Sequence, residues 1–204
     1  KRPGGFALTY SSLAGIVKYP YESVLAEKPK FGYFQSEKES YLKIAAELGI
    51  DENSAQPGSF CRHPLVYLVE AADDICYQIM DLEDAYKLGI LSYDQVYGLF
   101  LAFYNAETDT KQLASIDKTM QRVTDRNEQI GYLRAGVIGK LIHAGMSVFT
   151  DNLDEIMQGR FTKSLMDKLP ETQAAAMKVV KDISFLQVYA HRSVVEIEIA
   201  GYKI

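Results

Sequence analysis

The chain has 204 residues, enough for a core of its own, and its 48% hydrophobic and 24% charged content is that of a folded globular chain, not a disordered tail. A formal net charge of −5 excludes a protein whose main task is coating a nucleic-acid backbone, which needs a basic field; a local basic pocket and a nucleic-acid effect stay open. Two cysteines, Cys61 and Cys76, make no disulfide framework or paired metal spacing, and no stretch approaches the roughly 20 apolar residues of a membrane span, so a cytoplasmic protein with reduced thiols is expected.

The opening Lys1-Arg2-Pro3-Gly4-Gly5 carries no initiator Met and reads as the interior of a longer chain. Without internal repeats, the pattern predicts a mostly α fold, one helical region over 1–204, built from helices and short polar turns. A short helix is expected from Thr9 to Lys18, broken at Tyr19-Pro20 because the residue before proline avoids the α region. A loop rich in Lys and aromatics follows. Ser36 and Glu39 have capping-box spacing, so a helix should start there and run to Leu48, with Gly49 as its stop.

The best-defined helix begins at Pro64 and stops at Gly89, with Leu65, Leu68, Ala72, Ile75, Ile79, Leu82 and Tyr86 as its apolar stripe. Ser92 and Gln95 form a second capping box, opening a helix that reaches Asn105, and another is expected from Lys111 to Val123. Ile130, Leu133, Val137, Leu141, Ala144 and Val148 outline a long helix, in which Gly131, Gly136, Gly139 and Gly145 weaken the backbone or admit a close neighbour. A broken helical stretch from Asp151 to Leu169 precedes a helix from Glu171 to Tyr189. The last segment, Val194 to Tyr202, alternates apolar and charged residues, as a short strand or the start of a helix.

The helix from Pro64 carries a second row: Glu70, Asp73, Asp74, Tyr77, Asp81 and Asp84 recur at three- and four-residue steps and line one side. Like charges so spaced destabilise an isolated helix, and only Arg62 and Lys87 flank them in sequence. The row is therefore either a solvated acidic face or one that a cation, such as a metal ion, compensates.

The run Arg62-His63-Pro64-Leu65, continuing through Glu70-Ala71-Ala72-Asp73-Asp74-Ile75-Cys76-Tyr77 to Asp81-Leu82-Glu83-Asp84, resembles the late metal-ligand helix of bacterial dGTPases, deoxynucleoside triphosphate triphosphohydrolases of the HD-domain superfamily. Leu8-Thr9-Tyr10, Val17-Lys18-Tyr19-Pro20 and Lys30-Phe31-Gly32-Tyr33-Phe34 through Lys38 agree in order and spacing, and a looser likeness takes in Thr124-Asp125-Arg126-Asn127. The resemblance implies part of a helical HD-type bundle, the later part of such an enzyme. It implies that Asp73 is one ligand of a divalent metal, Mn2+ or Mg2+, that Tyr77 packs on the deoxyribose, and that Asp81 accepts a hydrogen bond from the sugar 3′-hydroxyl. Steps of four residues suit that order, because they bring successive groups into one line about 6 Å apart.

By the same resemblance Lys18 and Lys30 lie near the triphosphate, Tyr19 is a pocket wall or core, and Arg126 is a phosphate or substrate contact. The implied reaction is hydrolysis of dGTP, or of dNTPs more broadly, to deoxynucleoside and tripolyphosphate by metal-activated water, in a homo-oligomer. The sequence departs from the family in one respect. Its histidines, His63, His143 and His191, do not precede an Asp, so the family's His and His-Asp ligands and its catalytic histidine are missing. No catalytic residue is assigned in this chain, which is expected to be inactive alone, since a lone Asp cannot hold a catalytic divalent ion. A different class of reading is a non-catalytic deoxynucleotide-sensing or oligomerisation module; a third is an interaction domain whose acidic helix binds a basic partner.

Overall fold

In the computed structural model, residues 7–25 and 30–202 are described; the opening Lys1-Arg2-Pro3-Gly4-Gly5 and part of the lysine-rich loop lie outside them. The helices are α1 (Tyr10–Gly15), α2 (Lys38–Leu48), α3 (Pro64–Lys87), α4 (Tyr93–Leu101), α5 (Thr110–Arg122), α6 (Arg126–Asp151), α7 (Leu153–Met157), α8 (Glu171–Ile183) and α9 (Arg192–Gly201), with a wide-turned π segment at Ser184–Tyr189. Among the described residues there is no sheet, only isolated bridges between Glu22 and Tyr33 and between Glu52 and Phe60. The fold is mostly α. No helix among the described residues is long and apolar enough to cross a membrane.

Local chemistry sets the helix ends. The Thr9 side chain accepts from Ser12 N and caps α1. Gly49 and Gly89 stop α2 and α3 at φ of +63° and +72°, a left-handed conformation that glycine adopts without a Cβ clash. Pro64 occupies the first turn of α3, where a missing N–H costs nothing, and His63 Nδ1 accepts from Leu65 N at 3.2 Å, so this histidine caps the helix. Ser92 Oγ accepts from Gln95 N at 3.3 Å and Gln95 Oε1 from Ser92 N at 2.8 Å, completing the expected capping box of α4.

Four expectations are corrected. Helix α2 starts at Lys38 without the box expected from Ser36; a single turn, Gln35–Glu37, precedes it, where Glu37 accepts from Phe34 N at 3.0 Å and Phe34 packs edge-on against Phe31. Helix α4 stops at Leu101, before Asn105, whose side chain accepts from Glu107 N and Thr108 N and thereby favours a turn. The buried residues of α3 begin Val66, Tyr67 and Ala71, while Leu65 is 42% exposed and Ala72 is exposed. Tyr67 draws the first turns inward by donating to the Phe161 carbonyl and meeting its ring edge-on at 5.3 Å. The last segment, read as a short strand or the start of a helix, is not a strand but helix α9. A strand needs a neighbour to pair its backbone, whereas α9 satisfies its own, with the His191 side chain accepting from Ser193 N and Arg192 paired to Glu196 one turn on at 2.6 Å.

Two compact units share α3 and α6: residues to 72 with 147–165, and 73–146 with 166 onward. The first unit is built on Tyr33, Tyr41 and Ala45 with Val17, Ile50 and Phe60 around them; the Tyr33 and Tyr41 rings stack at 4.6 Å. In the second, Ile75, Ile79 and Leu82 of α3 are buried, as are Val96 and Phe100 of α4, Ile130, Leu133, Val137 and Leu141 of α6, and Val180 of α8. Gln173 donates to the Phe103 carbonyl at 3.0 Å, tying α8 to the end of α4. Two of the α6 glycines have packing roles there: Gly136 admits the Tyr104 hydroxyl and Gly145 the tip of Met166, while Gly131 and Gly139 face open space.

Candidate functional site

In the first unit the lysine segments come together through a backbone contact. Gly32 N donates to the Tyr21 carbonyl at 3.1 Å, and a Cβ at Gly32 would lie 2.1 Å from the Tyr19 carbonyl oxygen and 2.5 Å from Val17. Only glycine permits this approach. Lys30 is thereby held with its Nζ 6.0 Å from the Tyr19 ring centroid, and Lys18 Nζ lies 5.8 Å from the same ring. Tyr19 is thus a half-buried wall with both cations near its ring, which the ring quadrupole favours.

The Glu70 carboxylate completes this corner. Its Oε1 accepts from Lys18 Nζ at 2.9 Å and its Oε2 from Arg62 Nη1 at 3.1 Å. The Glu70 side chain is only 9% exposed. Lys18, Tyr19, Asn53, Arg62, Tyr67 and Thr162 are among the residues lining a cavity of about 360 Å³. Arg62 stands out here more than its sequence position suggested, since the reading above gave it no role beyond flanking charge. One member of the acidic row, Glu70, is therefore compensated by side chains, Lys18 and Arg62; Glu83, on the same helix but outside that row, pairs with Lys87 at 2.9 Å and Arg134 at 2.6 Å.

In the second unit, Asp73, Tyr77 and Asp81 follow one another down α3 as the spacing requires. Asp73 is exposed, and Tyr77 is 58% exposed. Asp81 is partly buried and already has a partner, because Tyr189 Oη donates to its Oδ2 at 2.6 Å. The Tyr189 ring lies 6.2 Å from that of Tyr77, so a tyrosine at the end of the π segment joins both residues of the row. Burial, with the hydrogen bonds to Asp81 and Tyr77 adding to it, pushes the Tyr189 phenol well above its ordinary range. Sequence reasoning missed Tyr189; the only signal was the end of the apolar pattern of α8, and π turns are frequent where a helix serves a site.

Arg126 has a different set of neighbours. It opens α6 with its guanidinium 4.8 Å from the Tyr93 ring, and the Tyr93 hydroxyl bonds to Gln129 at 2.5 Å. The adjoining Asp125 accepts from Asn127 N at 2.7 Å and Glu128 N at 3.1 Å and so caps the helix, a structural role for part of that motif.

The residues present do not make a metal centre. Among the described residues no group of three or more His, Cys, Asp or Glu is placed to hold an ion. Asp73 offers one carboxylate. His63 is used as a cap and its pKa is lowered by burial, and His191 caps α9; His143 is exposed on α6, beside a cavity lined by Tyr104, Tyr132 and Lys140.

No protein-family profile matches the chain. Among curated proteins it is similar to a deoxyguanosinetriphosphate triphosphohydrolase-like protein of Synechocystis, 34% identical with 100% of this chain and 46% of the relative aligned. A protein of the same description from Listeria monocytogenes is 32% identical, with 98% of this chain and 43% of the relative covered. A deoxyguanosinetriphosphate triphosphohydrolase of Serratia proteamaculans is 29% identical, covering 97% and 41%. The chain spans less than half the length of these relatives, and the agreement runs through all of its described helices. Taken with the order of the lysine segments and the α3 row, this similarity over the whole chain supports a dGTPase-type triphosphohydrolase family.

Proposed function

We propose that the whole protein hydrolyses dGTP, or dNTPs more broadly, to deoxynucleoside and tripolyphosphate, and that this chain contributes substrate contacts to that reaction. One observation carries the reading: Lys18 and Lys30, from two separate loops, meet on one tyrosine ring. Two ammonium groups and a guanidinium gathered at one corner suit a polyanion, and a triphosphate is the anion the family's substrates carry. Tyr77, exposed beside Asp81, then meets the deoxyribose, and a ring pressed on that face excludes a 2′-hydroxyl. Asp81 holds the 3′-hydroxyl, Arg126 reaches the substrate from the start of α6, and Asp73 is one ligand of a divalent ion, Mn2+ or Mg2+. The ion's other ligands are not among the described side chains. In the net reaction water adds across the bond between the 5′-oxygen and the α-phosphorus; the nucleoside takes the proton and the tripolyphosphate the hydroxyl.

Tripolyphosphate release from each dNTP, with Mn2+ or Mg2+, is compared in this chain, in a form extended upstream, and in the extended form with Asp73→Ala. The expected result is activity only in the extended wild type, with a loss of 100-fold or more on Asp73→Ala, roughly the upper end seen for losing support at a metal site. Activity of the 204-residue chain alone would overturn the divided site. Binding of dNTPs without hydrolysis in every form would favour a nucleotide-sensing module. A homo-oligomer is expected for the whole protein, to be checked by sedimentation.

A further inference from the structure

We propose that Glu70 is a positioning residue for the phosphate chain and that Arg62, through it, is a further phosphate contact beside Lys18. This rests on the reading of Lys18 as a triphosphate contact. The argument begins with the geometry of one carboxylate. Glu70 leaves neither oxygen idle: Oε1 takes the Lys18 ammonium at 2.9 Å and Oε2 the Arg62 guanidinium at 3.1 Å. Its side chain is nearly enclosed, while those of Lys18 and Arg62 remain 38% and 23% exposed. Both cations line the same cavity of about 360 Å³, with Tyr19 and Tyr67 as walls. Arg62 is fixed from a second side, with its guanidinium carbon 5.8 Å from the Tyr67 ring.

A carboxylate between two cations does two opposed things to an incoming polyanion. It cancels one of their two charges, which weakens the attraction. It also holds two flexible side chains in place, so that less freedom is lost when the anion binds. A guanidinium has five N–H donors and Glu70 engages one of them, so Arg62 keeps donors for phosphate oxygens. Lys30, near the same Tyr19 ring, adds a third cation to the field that a polyanion meets. Arg62 differs from Lys18 in having a planar fork that can bind two phosphate oxygens at once. The structure places the ordering effect ahead of the charge effect, because the carboxylate is enclosed and doubly bonded instead of lying free in the cavity mouth.

The test is the affinity for inorganic tripolyphosphate, measured calorimetrically in the full-length protein with chelator present and salt fixed, so that neither metal nor turnover enters. Lys18→Met is expected to weaken binding about tenfold, Arg62→Met about tenfold, and Glu70→Gln about fivefold, despite adding a net positive charge. In the Lys18→Met background Glu70→Gln should have a smaller effect, the share carried by Arg62 alone, a coupling that a merely structural glutamate would not show. If Glu70→Gln melts below the assay temperature, Arg62→Met and its double mutant with Lys18→Met stand in its place, and unaltered binding in Arg62→Met rejects the inference. Tighter binding in Glu70→Gln, or an undiminished effect without Lys18, overturns the positioning role while leaving the Lys18 reading intact. Unchanged binding in Lys18→Met removes the reading on which both depend.

Discussion

The corner around Tyr19 and the row along α3 carry comparable numbers of charged and aromatic side chains, yet they are organised differently. At the corner the partners are internal: Gly32 fixes the segment of Lys30, two ammonium groups lie near the Tyr19 ring, and Glu70 ties Lys18 to Arg62. Along the row Asp73 and Tyr77 stand in solvent, and Asp81 is held by one hydroxyl from a distant segment. The cation corner is thus ordered by its own side chains, and the acidic row is left open. The reason is electrostatic, since cations confined together need a resident carboxylate or ring, whereas an exposed carboxylate is already well solvated.

The largest effect expected from breaking this contrast is at Gly32. A methyl group there meets a backbone carbonyl that cannot rotate away, so Gly32→Ala should destabilise the first unit by roughly 2–3 kcal/mol, as overpacking of a tight contact does. Chemical unfolding monitored in the first unit checks it; a cost below about 0.5 kcal/mol would mean that the two segments separate easily and that Lys30 is not held. Gly131→Ala, on the open face of α6, serves as the control, with a neutral or stabilising outcome expected from helix propensity.

That contrast also marks what was legible in the sequence. Pro64, Gly89 and the Ser92 to Gln95 box gave the limits of α3 and the start of α4 because caps and stops act within a few residues. The order Asp73, Tyr77, Asp81 was legible for the same reason: helical spacing is local. What decided the burial of Tyr67 over Leu65 was Phe161, and what claimed Asp81 was Tyr189, each far along the chain and without any pattern linking them. Val194 to Tyr202 was ambiguous because its alternation satisfies a strand, while the absence of a pairing neighbour, which decides for helix α9, is a tertiary fact.

A smaller effect is expected from Tyr189→Phe, which removes the one hydroxyl on Asp81. The cost should be about 1 kcal/mol, discounted for partial exposure of the pair, and read from urea unfolding. Its pH dependence has a definite sign. The phenol is raised above its unfolded value, so the protonated form is the one the fold favours; the stabilisation is complete below about pH 10 and is lost as pH rises beyond it. Wild type should therefore lose stability faster than Tyr189→Phe above that pH, and parallel curves would show that the hydrogen bond contributes nothing.

The smallest change in stability is expected at Tyr77. With the ring 58% exposed, Tyr77→Ala should alter the unfolding free energy by no more than about 0.5 kcal/mol, apart from its packing beside Tyr189. The same substitution separates the two organisations most clearly, because it removes a ring of the α3 row and leaves the ion pairs of the corner untouched. If the ring screens the sugar, the full-length variant should discriminate between dGTP and GTP by at least tenfold less than wild type, while tripolyphosphate affinity at the Tyr19 corner stays within twofold, since none of the corner's ion pairs or ring contacts involves Tyr77. Equal discrimination by wild type and variant would leave Tyr77 as a surface ring beside Tyr189, and the α3 row would then bear only on metal and hydroxyl, with sugar selection assigned to residues elsewhere.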